Sequence, residues 1–170
     1  DINETLECWE IALKSKNTPS AIALSRQKVP YINPKNSKEN KSEKGAYVVN
    51  ITSHESNVTL LASGTEVELA LKVQEKLKEN NIHSKVVSMP CMELFDKQSE
   101  NYRKDILEEN SLIVTLEAGS IMSWQKYTKH NGINLGIDKF GESAPYKEVY
   151  NYLDLSEEKI TNLIQKKLRE

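Results

Sequence analysis

Two cysteines in 170 residues, Cys8 and Cys91, are too few for a disulfide framework. The three histidines, His54, His83 and His130, stand apart and make no metal-ligand spacing. A surplus of charge is also missing, because 23 Lys+Arg against 25 Asp+Glu leave a formal net charge of −2. Binding nucleic acid by counterion release needs spare cations to neutralise phosphates, so this balance argues against that class. No apolar run approaches the roughly 18 residues of a membrane span. Nor is there a charged start, apolar middle and small-residue cleavage site to mark a signal segment. The plain reading is a cytoplasmic, globular chain, long enough at roughly 100–200 residues per domain for one domain and part of a neighbour. The sequence starts at Asp1 with a helical pattern already under way, so we expect either a piece of a longer chain or one whose leader has been removed.

Ile2, Leu6, Trp9 and Leu13 recur at spacings of four, three and four and line one face of a helix. Asn17-Thr18-Pro19 ends it, since proline cannot continue a helix. Ser20–Leu24 reads as a short buried strand whose carboxyl end delivers Ser25 and Arg26, where ligands of open α/β sheets tend to sit. From Asn33 to Lys44 no residue can anchor a core, so this stretch reads as a solvated linker and a domain boundary.

Beyond the linker, strands and helices alternate. Ala46–Val49 and Val58–Ala62 read as strands around a polar turn at His54–Asn57, and that short connection makes one strand antiparallel. Thr65–Glu79 is an amphipathic helix with Val67, Ala70, Leu71 and Leu77 inside and a Glu68–Lys72 pair outside. His83–Met89, Ser111–Leu116 and Asn134–Ile137 are further strands, and a helix runs through Trp124 and Tyr127. The terminal helix has Ser156 as cap, acids in its first turn and Lys166, Lys167 and Arg169 in its last, the order its dipole favours. Such interleaving predicts an α/β fold in three layers, a mixed, mostly parallel sheet covered on both faces.

Three places carry chemistry worth weighing. Ser63-Gly64-Thr65-Glu66 turns a strand into a helix; its amides could hold a phosphate, or Ser63 and Glu66 could form a capping box. Glu117, at a strand end before Ala118-Gly119, could act as a general acid or base, or accept hydrogen bonds from the following turn. The histidines read as exposed, and Trp124 and Tyr127 as packing residues. Arg26 presents a rigid fork that matches a phosphate, with the Ser25 hydroxyl as a short donor beside it; a structural salt bridge is the alternative.

In order along the chain, L-S-R-Q (Leu24–Gln27), A-S-G-T-E-V-E-L-A (Ala62–Ala70), V-V-S-M-P (Val86–Pro90), F-D-K-Q (Phe95–Gln98), E-A-G (Glu117–Gly119) and F-G-E-S-A-P (Phe140–Pro145) resemble the carboxy-terminal end of transketolase. Only the linker and Ile51–Asn57 lack a counterpart. The resemblance implies that residues 1–30 are the tail of a pyrimidine-binding domain, 31–45 a linker, and 46–170 a C-terminal domain with a five-stranded mixed sheet. It implies that Arg26 binds the substrate phosphate, with Ser25 beside it. It also implies a homodimeric parent enzyme that moves a two-carbon ketol unit between sugar phosphates with thiamine diphosphate and Mg2+ or Ca2+. The family's metal and diphosphate motif, catalytic glutamate and substrate histidines lie upstream of the matched region, so no catalytic, cofactor or metal residue is expected in this chain and it should be inactive alone. The same domain type occurs in deoxyxylulose-phosphate synthase and the pyruvate dehydrogenase beta subunit; S-R-Q and F-G-E-S-A-P favour transketolase. A free-standing binding or regulatory module, or a domain that only holds a dimer together, is the other class of reading.

Overall fold

A computed structural model describes residues 1–32 and 39–170. Its sheet has five strands, β1 (Tyr47–Ile51), β2 (Val58–Ala62), β3 (Ser84–Ser88), β4 (Leu112–Leu116) and β5 (Ile133–Leu135), in the order β1-β3-β2-β4-β5. Every position of β2 and β3 is buried, and so is β4 after its first residue. Strands buried on both sides need a layer over each face. Alternate residues of β2 supply those faces. Val58, Leu60 and Ala62 pack with Val67, Ala70, Val73 and Leu77 of α2 (Glu66–Glu79) and with Ile160 and Ile164 of a C-terminal helix at Glu157–Lys167. Leu61 points the other way, into a second core with Phe95 of α3 (Met92–Asp96), Ile106 of α4 (Glu100–Leu107) and Tyr127 of α5 (Gln125–Thr128). Two further helices, α6 (Tyr146–Tyr152) and α7 (the Glu157–Lys167 helix), follow β5. Each fully buried aliphatic side chain contributes about 1.5–3 kcal/mol, so the two faces together outweigh any polar contact described below.

The expected α/β sandwich and the Glu68–Lys72 pair, at 2.6 Å, are present. One strand is antiparallel, as read, but its partner differs. β1 pairs with β3 rather than with its sequence neighbour β2, and the 52–57 connection passes the start of β3 instead of closing a hairpin. A buried ion pair helps hold that connection. Lys85, only 4% exposed, donates to Glu108 at 2.9 Å and to the Asp105 carbonyl at 2.8 Å, while the other Glu108 oxygen accepts from the Ser56 amide. Strand β5 covers Ile133–Leu135, ending two residues before the expected Ile137. Ser156 is the N-cap of α7 by position; its carbonyl accepts from Ile160, and no side-chain bond closes the cap. Helices α3, α4 and α6 were not read from the sequence.

At the N-terminus, α1 spans Ile2–Lys14. The expected strand at Ser20–Leu24 does not form. These residues form no regular element and are mostly exposed, and no strand among the described residues pairs with them. A strand's backbone groups need partners, and without a ladder five suitable residues remain only an irregular segment. The linker is also less solvated than expected at its end: residues 33–38 lie outside the described part, but Lys41–Lys44 form a 3-10 turn with Ser42 buried. That turn is the seat for α1. Glu7 accepts from the Ser42 amide at 2.9 Å and its hydroxyl at 2.7 Å, and Glu4 accepts from Tyr47 at 2.9 Å and Ser88 at 2.5 Å.

Gly45 ends the turn at φ 82°, in the left-handed region. A methyl group there would lie 2.3 Å from both the Cys91 carbonyl oxygen and the Phe95 nitrogen. Gly45→Ala therefore meets backbone strain and a clash with a fixed backbone at once. Chemical denaturation should show a loss of about 2–4 kcal/mol, and a loss below about 0.5 kcal/mol would contradict this packing.

Candidate functional site

Arg26 and Ser25 lie together on the exposed segment that follows α1. Among the described residues Arg26 enters no ion pair. Among the described residues the salt-bridge alternative is thus not realised. The segment is closed by α1 itself, since the Asp1 carboxylate accepts from the α1 amide of Glu4 and from the Ile32 amide, both at 3.0 Å.

The second place of interest is the carboxyl edge of the parallel strands. The chain leaves β2 toward β3 on one side and leaves β4 toward β5 on the other, so the loops part between β2 and β4. Open α/β sheets bind ligands at such a parting. Here Ser63-Gly64-Thr65 and Glu117-Ala118-Gly119 flank it. The capping box is absent. The N-cap of α2 is Thr65, with helical φ and ψ and no side-chain cap bond, and the Glu66 amide is bonded to the Ser63 carbonyl at 3.2 Å. Glu66 instead turns its carboxylate, 5% exposed as a residue, to the hydroxyls of Thr65 (2.7 Å) and Tyr150 (2.5 Å). Tyr150 belongs to α6, so this bond ties the C-terminal segment to the end of β2.

Glu117 takes its hydrogen bond from outside its own turn. It accepts from the Trp124 indole N–H at 3.0 Å rather than from the backbone of its own turn, and the Ser63 side chain favours its charged form. Burial pushes its carboxyl above the usual range, the charge of Glu66 pushes the same way, and the Trp124 bond and the Ser63 side chain oppose them. Trp124 and Tyr127 are buried packing residues, as expected, with Trp124 also holding this carboxylate. The three histidines are exposed. Ser63 and Tyr150 were not foreseen as partners of these acids, and only the E-x6-W spacing hinted at Trp124. A groove of about 470 Å3 opens at the opposite, amino end of β4, but its lysines are already paired, Lys129 with Glu109 and Lys167 with Glu170.

Residues 45–156, most of this fold, match the transketolase-like C-terminal domain. The chain belongs to the transketolase family. The transketolase of Aquifex aeolicus is 39% identical over 169 residues, which cover 98% of this chain and 24% of that protein. That of Bacillus subtilis is 39% identical over 168 residues, 97% and 25% of the two chains. A crystal structure of Pichia stipitis transketolase in complex with sedoheptulose 7-phosphate superposes with a TM-score of 0.89 at 30% identity, covering 99% of this chain and 24% of that one. The chain thus spans about a quarter of the length of the transketolases it matches, and its mixed five-stranded sheet is theirs.

The Glu117 geometry fixes a pH dependence. A carboxyl raised in the folded state favours the protonated form there, so its neutral-state stability is complete below the unfolded value near 4.5 and is lost as pH rises through the folded value. Glu117→Gln stays neutral and keeps an oxygen for Trp124. It should be more stable than the unsubstituted chain at pH 8, with the advantage vanishing near pH 4, as measured by urea unfolding at the two pH values. An advantage independent of pH would contradict the assignment.

Proposed function

We propose that this chain is the C-terminal part of a transketolase that moves a two-carbon ketol unit between phosphorylated sugars with thiamine diphosphate. The observation that carries this reading is the character of α1. Its Glu4 and Glu7 side faces the sheet body, while Ile2, Leu6, Trp9 and Leu13 are 64%, 61%, 49% and 77% exposed. An apolar helical stripe of that kind belongs against a core, and Ser20–Leu24 likewise has the composition of a buried strand with no strand paired to it among the described residues. Both precede the family's C-terminal domain. Residues 1–30 are accordingly the tail of a pyrimidine-binding domain, 31–45 the connection, and 46–170 the C-terminal domain.

In the assembled enzyme Arg26 grips the phosphate of the sugar substrate through its paired N–H donors, and the Ser25 hydroxyl stands beside it. The cofactor belongs to the rest of the parent. This sequence has no glycine-aspartate-glycine run, and among the described residues no three His, Cys, Asp or Glu side chains are grouped to hold a metal. In this reading thiamine diphosphate with Mg2+ or Ca2+ is bound by the rest of the parent, and the chain alone is inactive. The parent is a cytoplasmic homodimer. Among the described residues no helix is long and apolar enough to cross a membrane. A second reading, a separate binding or regulatory module, draws on the closed two-sided core of residues 46–170, which does not require α1.

Arg26→Ala in the full-length enzyme should raise KM for ribose 5-phosphate by about 10–150-fold, the equivalent of about 1.5–3 kcal/mol for a charged hydrogen bond. The KM for an unphosphorylated donor such as hydroxypyruvate should stay nearly constant. Steady-state kinetics with both substrates checks this, and an unchanged KM for ribose 5-phosphate would remove Arg26 from the site.

A further inference from the structure

The segment that carries Arg26 leaves α1 after Lys14 and comes back to the start of the same helix at Tyr31 and Ile32. Asp1 makes that return. One of its carboxylate oxygens, Oδ1, accepts from the Glu4 amide and caps α1, and the other, Oδ2, accepts from the Ile32 amide, both at 3.0 Å. Nearby, the Asn3 side-chain amide donates to the Tyr31 hydroxyl at 2.9 Å. The cap and first turn of α1 therefore grip two successive residues at the end of the loop. A loop closed at its base samples fewer arrangements than one tied at a single end.

The base of the loop is fastened to the sheet body as well. The Ile32 side chain packs against the core formed by β2, α2 and α7. Asp1, Glu4 and Ile32 line one small cavity of about 20 Å3 with Tyr47 of β1, Val67 of α2 and Ser88 of β3, so helix, loop end and sheet body meet at a single seam. Across it Glu4 accepts from the Tyr47 and Ser88 hydroxyls. Ile32 lies six positions after Arg26, and Pro30, with its fixed φ, stands between them.

We propose that Asp1 is a positioning residue for Arg26: its second carboxylate oxygen fixes the end of the loop, and through that bond the sheet body sets where the guanidinium stands. The inference rests on the reading of Arg26 as the group that binds the sugar phosphate. A guanidinium fork meets two phosphate oxygens only when it is held at the right place and angle, so a loosened loop loses affinity without losing a contact of its own. The C-terminal domain thereby takes part in acceptor recognition at a distance, through α1 and Ile32, with no residue of its own at the phosphate.

Asp1→Asn separates the two bonds, because an asparagine oxygen still caps α1 while its amide nitrogen cannot accept from Ile32. In the full-length enzyme, with hydroxypyruvate as donor, this variant should raise KM for ribose 5-phosphate about three- to tenfold. Both kcat and KM for hydroxypyruvate should stay within about twofold. In the Asp1→Asn/Arg26→Ala double variant KM should equal that of Arg26→Ala alone, since a residue that acts through Arg26 then has nothing left to position. An unchanged KM in Asp1→Asn, where Arg26→Ala raises it, would overturn the positioning role and leave the phosphate site standing. Effects that multiply in the double variant, or a fall in kcat, would also overturn it and make Asp1 a purely structural cap. If Arg26→Ala itself leaves KM unchanged, the phosphate reading falls and this inference falls with it.

Discussion

The structure depends on the burial of β2 and β3 on both faces. Strand β2 has parallel partners on each side, and none of its five residues reaches solvent, so its faces need separate helical layers. The layer of α2 and α7 and the layer of α3, α4 and α5 follow from that requirement, as does the division of β2 into Val58, Leu60 and Ala62 on one side and Leu61 on the other. The carboxyl-edge loops are positioned by the same strands. Ser63–Thr65 and Glu117–Gly119 flank the parting because β2 and β4 are neighbours in a sheet whose connections leave in opposite directions. Two carboxylates are then held by neutral donors, Glu66 by Thr65 and Tyr150 and Glu117 by Trp124, and burial, with the Glu66 charge adding to it, raises the proton affinity of Glu117 against those bonds.

Helix α1 follows a different logic. It meets the body through carboxylates set on hydroxyl and amide donors, while its apolar stripe faces away. The match to the transketolase-like C-terminal domain begins only at residue 45, after this helix and the Arg26 segment. The polar joint, the turn at Lys41–Lys44 and Gly45 are therefore the mechanical link between the segment proposed to touch substrate and a domain with its own closed core.

Much of the sheet was legible because β2, β4 and α2 carry unbroken patterns: apolar runs of strand length bounded by turns, and a 3.6-residue period over Glu66–Glu79. The failures share one cause, since each depended on a partner outside the local window. Ser20–Leu24 has strand composition but nothing to pair with among the described residues. The partner of β1 is set by a crossover past β3, and a short connection looks the same whether it closes a hairpin or not. The Ser63–Glu66 spacing matches a capping box, yet Tyr150, far along the chain, takes the glutamate. At Glu117 the acid was recognised, but its donor is the Trp124 indole, which only the folded chain brings to it. For Arg26 the residue type carries the chemistry, and its proposed role rests on the resemblance.

The central claim is that these residues serve as the end of a full transketolase rather than as a protein by themselves. The most direct measurement is the size of the native polypeptide, by immunoblot of the source cells with an antibody raised against this chain. The account predicts a band several times heavier than 19.4 kDa, carrying transketolase activity when immunoprecipitated. A single band at 19.4 kDa would contradict it and make the C-terminal unit a protein with a role of its own.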